Sequence, residues 1–195
     1  MSSLSFLKEK IFAADLGEEN LMPDIKNVRY IHSGFIIDEK IPKKEAQGIG
    51  KGMINTLLPY TLQDNYNRDR KWREFDVAVL ENEKLKATFI LDLGGRLWSL
   101  YDKVNDRELL YKNTVFQPGN LALRNAWFSG GIEWNVGIKG HNPLTCSPLF
   151  ACDMKTSDGE SFLRMYEYER IRDITYCLDF FLPDDSSVLY VNVTI

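Results

Sequence analysis

The chain has 195 residues, 44% of them hydrophobic and 27% charged, with a formal net charge of −4. That length allows one domain, or one domain with an extension, and the composition is that of a folded soluble protein, which excludes the disordered and fibrous classes. The acidity is slight and the basic residues are scattered among acids, so there is no electrostatic footprint for a polyanion and nucleic acid is not expected as a partner.

The first element expected is a short helix near Ser5 to Ala14, where apolar positions recur at three- and four-residue spacing, inside an N-terminal extension covering residues 1–27. The same segment carries Lys8, Glu9 and Lys10 and lacks the apolar run of a signal peptide. No stretch approaches the roughly 20 apolar residues of a membrane span. The expectation is therefore a cytoplasmic protein with no membrane partner. From Val28 onward, short runs rich in β-branched and aromatic residues alternate with turn clusters, predicting an antiparallel β domain over residues 28–195.

Within that domain "GIGKG" (Gly48–Gly52) lacks the Lys-Ser/Thr ending of a phosphate loop and reads as a flexible turn. The densest basic run, Arg68 to Arg73, is interrupted by Asp69 and flanked by Asp64 and Glu74, as in a solvated loop. "FDVAVLENEKLKATFILD" predicts a hairpin, with Phe75–Leu80 and Leu85–Leu91 alternating about the polar "ENEK". Gly94 and Gly95 then mark a bulge or bend before a strand whose Leu97 and Leu100 face the core. Further along, "LFACDMK", the turn "TSDGE", "SFLRMYEYERIRDITYCLDFFL" and "SSVLYVNVTI" predict at least three more strands. The last alternates up to Ile195 without a turn or polar tail, an ending that points to further strands beyond residue 195.

Motifs for several chemistries are missing. The three cysteines, Cys146, Cys152 and Cys177, are odd in number and lack CxxC spacing, so neither a disulfide framework nor a zinc knuckle is expected. No serine lies in a GxSxG elbow, which removes the usual signature of a nucleophilic hydrolase. The only histidines are His32 and His141, too far apart in sequence to form a multi-histidine metal site. No metal and no cofactor is expected.

One segment concentrates candidate chemistry: "SGGIEWNVGIKGHNP", Ser129–Pro143. Glu133 lies between Ile132 and Trp134, and desolvation by such neighbours raises a carboxyl pKa toward the range of a general acid. His141, eight positions on, can relay a proton or bind a sugar hydroxyl. Glycines at 130, 131, 137 and 140 give the backbone freedom to bring both side chains to one cleft. The structural alternative is equally open: Glu133 accepting backbone N–H groups in a buried loop, with His141, Asn142 and Pro143 as turn chemistry. Trp127 and Trp134 flank the glycines as candidate stacking platforms for a pyranose ring, whereas Trp98 reads as packing. Arg96, Arg124, Asn125, Asn135 and Asn142 offer the forked or paired polar groups that hold vicinal hydroxyls, or pair with carboxylates elsewhere. His32, on an expected strand with no clustered partner, reads as structural.

The run "ATFILDLGGRLWSLYDKVNDRELLY" resembles the early hairpin of the galactose mutarotase-like superfamily, where a "GGR" turn leads into a strand and a "RELL" segment. "GNLALRNAWFSGGIEWNVGIKGHNP" is similar to an uncharacterised bacterial family whose mutarotase-like domain is often followed by tetratricopeptide repeats. The resemblance covers roughly Phe75 to Ile195. It implies an antiparallel β-sandwich, the supersandwich, with a concave sugar-binding face and a carbohydrate ligand, and helical repeats as a partner module in a longer chain. In sugar epimerases of the superfamily a His is the general acid and a Glu far toward the C-terminus the general base, a position expected beyond residue 195. The function expected is carbohydrate recognition with acid–base chemistry at an anomeric centre, Glu133 acting as donor or base with His141 assisting. The alternative is a non-catalytic glycan- or protein-binding module of a larger repeat-containing protein.

Overall fold

The structure is a computed structural model and describes residues 1–22, 36–49, 56–136 and 140–195. Strands β1 (Ser3–Ala13), β2 (Lys71–Glu81), β3 (Leu85–Ile90), β4 (Arg96–Asp102), β5 (Arg107–Glu108) and β6 (Val115–Phe116) form one sheet in the order β5-β4-β3-β2-β1-β6. A ribbon follows, made of β7 (Gly119–Ala122) and β8 (Asn125–Trp127). Strands β9 (Phe150–Lys155), β10 (Ser161–Glu169), β11 (Ile174–Phe181) and β12 (Tyr190–Thr194) make a second sheet in the order β12-β11-β10-β9. Pairing is antiparallel throughout except between β1 and β6. Among the described residues the helical content is one turn, Lys43–Ala46.

The fold is thus all-β and sandwich-like, as the alternating patterns predict. Ala78, Leu80, Ala87, Phe89 and Leu97 of the first sheet meet Leu163, Met165, Leu178 and Phe180 of the second in one core. Each large side chain buried there contributes about 1.5–3 kcal/mol. The other face of the first sheet is covered too: Val77, Val79, Ile90 and Trp98 pack against Phe116, Ala126, Phe128 and Cys146. Burial on both faces explains why β2 and β3 read as near-continuous apolar runs such as "VAVL" and "ATFI". Trp98 is packing, at 1% exposure.

The hairpin predicted about "ENEK" is present as β2–β3. Asn82 closes its turn by accepting from the amides of Lys84 and Leu85, and its side-chain amide donates to the carbonyls of Pro183 and Ser186. The "TSDGE" turn joins β9 to β10, with the amide of Gly159 donating to the carbonyl of Thr156.

Two expectations are corrected. The helix near Ser5 to Ala14 is β1, paired residue for residue with β2 from Ser3↔Glu81 to Ala13↔Lys71. An isolated helix of that length is marginal, whereas the strand sets Lys8 opposite Asp76 and Lys10 opposite Glu74 and gains a full ladder. Residues 3–13 therefore belong to the first sheet. The second correction concerns where regular β structure follows. Among the described residues between 36 and 70 there is no strand, and the sheet resumes at Lys71. His32, Gly137 and residues 50–52 of "GIGKG" lie outside the described residues. Among the described residues no helix is long and apolar enough to cross a membrane.

Candidate functional site

Two glycine turns distant in sequence lock together beneath the candidate site. Gly131 adopts a left-handed backbone (φ 67°), and a side chain there would run into the Leu97 carbonyl oxygen. Only glycine lets this loop lie against β4, where Ile132 and Leu97 exchange backbone hydrogen bonds of 2.9 and 3.2 Å. Two reciprocal bonds add to this bridge. Arg96 Nη1 donates to the Gly130 carbonyl at 3.1 Å, and Trp134 Nε1 donates to the Gly95 carbonyl at 2.8 Å. "GGR" and "SGGIEW" are in this way one structural unit.

That unit presents Glu133. Its Oε2 accepts from Trp127 Nε1 at 2.9 Å, lies 2.7 Å from His141 Nδ1 and faces Arg96 Nη2 at 3.9 Å. Its Oε1 accepts from the Asn142 backbone amide at 3.2 Å. The Glu133 side chain is 10% exposed and that of Arg96 3%, while His141 keeps 29%, so of these three the histidine reaches solvent most. The Trp127 and His141 rings lie 5.0 Å apart at a tilt of 42°.

Arg96 donates its other Nη to Thr145 Oγ1 at 2.9 Å and lies 4.0 Å over the ring of Phe128. Burial pushes its pKa below the usual guanidinium value, and the facing Glu133 pulls it back up. It remains charged, because an arginine does not titrate in the working range. Cys146 lies nearby, its thiol pushed up to about 12 by burial against the opposing pull of Arg96. It stays protonated and is no nucleophile.

The structure gathers Glu133, His141, Trp127, Arg96, Asn135, Asn142 and Trp134, but not on equal terms. Trp134 turns its ring to the inter-sheet core, 5.1 Å from Phe180, and acts as packing. Asn142 is 4% exposed. Its amide nitrogen donates to the Trp134 carbonyl at 3.0 Å and to Tyr176 Oη at 3.4 Å, its Oδ1 accepts from the Leu144 amide, and its own backbone amide also donates to Asn135 Oδ1 at 2.9 Å. These bonds close the loop behind Glu133.

Arg124 and Asn125 stand apart from the cluster. Arg124 pairs with Glu19 at 2.5 Å, donates to the Thr61 carbonyl and to Ser147 Oγ, and packs 5.0 Å over Tyr60, tying the N-terminal segment to the loops beneath β8. Asn125 accepts from Tyr66 Oη at 2.9 Å. Both residues engage structural partners rather than the Glu133 cluster. Sequence reading missed Thr145, Phe128 and Tyr176, whose roles depend on contacts between segments far apart in the chain; no local pattern marks them.

Chemically, the pair at the centre has a direction. A carboxylate in its ionised form has only acceptors, so opposite one the hydrogen of the 2.7 Å contact lies on His141 Nδ1, and a ring neutral in that tautomer offers its lone pair at Nε2. Glu133, held by donors on both oxygens, is suited to orient the imidazole and to stabilise it when protonated.

The architecture is similar to the crystal structure of a TPR-domain containing protein from Parabacteroides distasonis ATCC 8503, with a TM-score of 0.71 and 18% sequence identity. The match covers 98% of this chain and 28% of that one. Residues 52–194, which hold both glycine turns and the Glu133–His141 pair, match the family described as a domain of unknown function (DUF5107). The chain belongs to the DUF5107 family.

Proposed function

We propose that this domain recognises a carbohydrate, as the mutarotase-like superfamily resembled by its "GGR" and "SGGIEWN" segments does, and that His141 performs acid–base chemistry at the sugar's anomeric centre. The observation that carries the reading is the 2.7 Å contact between Glu133 Oε2 and His141 Nδ1, made by a largely buried carboxylate and a partly exposed imidazole. The roles differ from the sequence expectation. Glu133 positions the ring, and Nε2 does the proton transfer.

In a mutarotation one group takes the proton of the anomeric hydroxyl while another delivers a proton to the ring oxygen, and the bond between C1 and the ring oxygen breaks. His141 is suited to one of these two transfers. Glycoside cleavage would require, in addition, a second carboxylate roughly 5 to 10 Å from the first.

The test is the interconversion of freshly dissolved aldose anomers, followed by polarimetry or NMR. The expected outcome is catalysis that falls about a hundredfold or more in His141→Gln and is reduced in Glu133→Gln, where the amide keeps the Trp127 bond but loses the charge. A folded protein that leaves every aldose at its spontaneous rate overturns the catalytic reading. A second reading, a non-catalytic glycan- or protein-binding module of a larger repeat-containing protein, draws support from the donors on both Glu133 oxygens, which suit a structural carboxylate, and from the similarity to a TPR-domain containing protein. Sugar binding without turnover, unchanged in His141→Gln, is its signature.

A further inference from the structure

The second sheet carries an unexplained feature on the face turned away from the core. Phe150 on β9 and Tyr166 on β10 are cross-strand partners. Their rings lie 5.4 Å apart at only 19°, yet they are 58% and 43% exposed. With Arg164, Tyr168, Thr175 and Thr194 they line an open cavity of about 540 Å³, within the size of small-molecule sites. A flat aromatic floor of this kind matches the C–H face of a sugar ring.

The polar groups around the floor sharpen the match. Arg164 is clamped by Asp179, with Nε at 2.7 Å and Nη2 at 2.6 Å. Its Nη1 makes no hydrogen bond among the described residues, nor do the hydroxyls of Tyr166, Thr175 and Thr194, all of which line the cavity. The Asp179 clamp fixes the Arg164 donor, and the hydroxyls add adaptable donors and acceptors next to an apolar surface. The charge is balanced: among the described lining residues Arg164 is the one cation, and Asp179 offsets it. An anionic ligand would meet no uncompensated positive group.

We propose that this outer face is a binding site for an uncharged saccharide, distinct from the Glu133 cluster, with the Phe150–Tyr166 stack as its floor and Arg164 Nη1 as its polar anchor. The proposal shares the carbohydrate reading of the domain, but Phe150, Arg164 and Tyr166 take no part in the cluster, so either site can fail alone.

The test is a two-dimensional ¹H–¹⁵N NMR titration of the chain with methyl glucopyranoside, methyl galactopyranoside, methyl mannopyranoside and, as the charged comparison, glucuronate. The expected result is a saturable shift of the Thr175, Cys177 and Thr194 amides with at least one neutral glycoside. Affinity should fall about tenfold in Phe150→Ala and in Tyr166→Ala and be retained in Glu133→Gln, with glucuronate weaker by a similar factor. Both aromatic positions are exposed, and dispersed spectra of the variants verify folding. The proposal is overturned if these amides do not move with any neutral glycoside, if their shifts survive both aromatic substitutions, or if glucuronate binds as tightly. It is also overturned if a proline-rich peptide moves them and no sugar does. Shifts confined to the Trp127 indole and lost in Glu133→Gln would uphold the Glu133–His141 reading and sink this one.

Discussion

A single carboxylate can hold a strand pair together and make its stability depend on pH, and Asp179 is such a residue. Its side chain is 8% exposed and takes both hydrogen bonds of the Arg164 fork. Those bonds hold its carboxyl below the ordinary value of 3.8, against the opposing effect of burial. A depressed folded value stabilises the native state above the unfolded value, and that stabilisation is lost as the pH falls through the folded value. Asp179→Asn should therefore cost about 1 to 2 kcal/mol at neutral pH. The gap to the parent protein should stay constant down to about pH 4 and close below it. Urea denaturation at a series of pH values measures this directly, and a gap unchanged at the lowest pH would show that the charge of Asp179 contributes nothing.

The loop from Ser129 to Pro143 depends on one backbone position more than on any side chain. Gly131 combines a φ of 67° with a carbonyl oxygen where a side chain would have to go. Gly131→Ala should destabilise the domain by about 2 to 4 kcal/mol. Gly159→Ala, at a left-handed position with open space around it, should cost only about 1 kcal/mol. Chemical denaturation of the two variants decides between strain plus clash and strain alone. The density of glycines around Glu133 was legible in the sequence as a sign of unusual backbone, and Glu133 and His141 were legible as a pair. The destinations of Arg124 and Asn125 were not. A guanidinium has the same sequence signature whether it awaits a ligand or, as here, ties Glu19, Thr61 and Ser147 together. The helix expected near Ser5 to Ala14 gives way to a strand for a related reason: the spacing is ambiguous between helix and strand, and the eleven-residue ladder of Ser3–Ala13 with β2 decides the outcome.

Over the whole molecule, the first sheet divides two apolar clusters. One lies between the sheets and contains Leu163 and Phe180; the other lies beneath the ribbon and loops and contains Phe116 and Phe128. Since β2, β3 and β4 contribute side chains to both, the two clusters should unfold together. Phe180→Ala and Phe116→Ala should each cost about 3 to 5 kcal/mol, lower the same single transition in calorimetry, and add when combined. Two separate transitions would mean that the clusters are independent. Alternation in the sequence identified the strands and the all-β class; it did not show that one sheet is covered on both sides, because the segments that carry Ala126, Phe128 and Cys146 over its second face are short and irregular.

The reciprocal bonds between the two glycine turns have a consequence for how such a site changes over evolutionary time. Both acceptors, the carbonyl oxygens of Gly95 and Gly130, belong to the main chain, so no substitution can delete them. Drift can break the joint only through its donors, Arg96 and Trp134. A relative that has lost both while keeping its glycines would retain the sockets of the interlock without its pins, and its loop would be free to carry Glu133 toward a different chemistry.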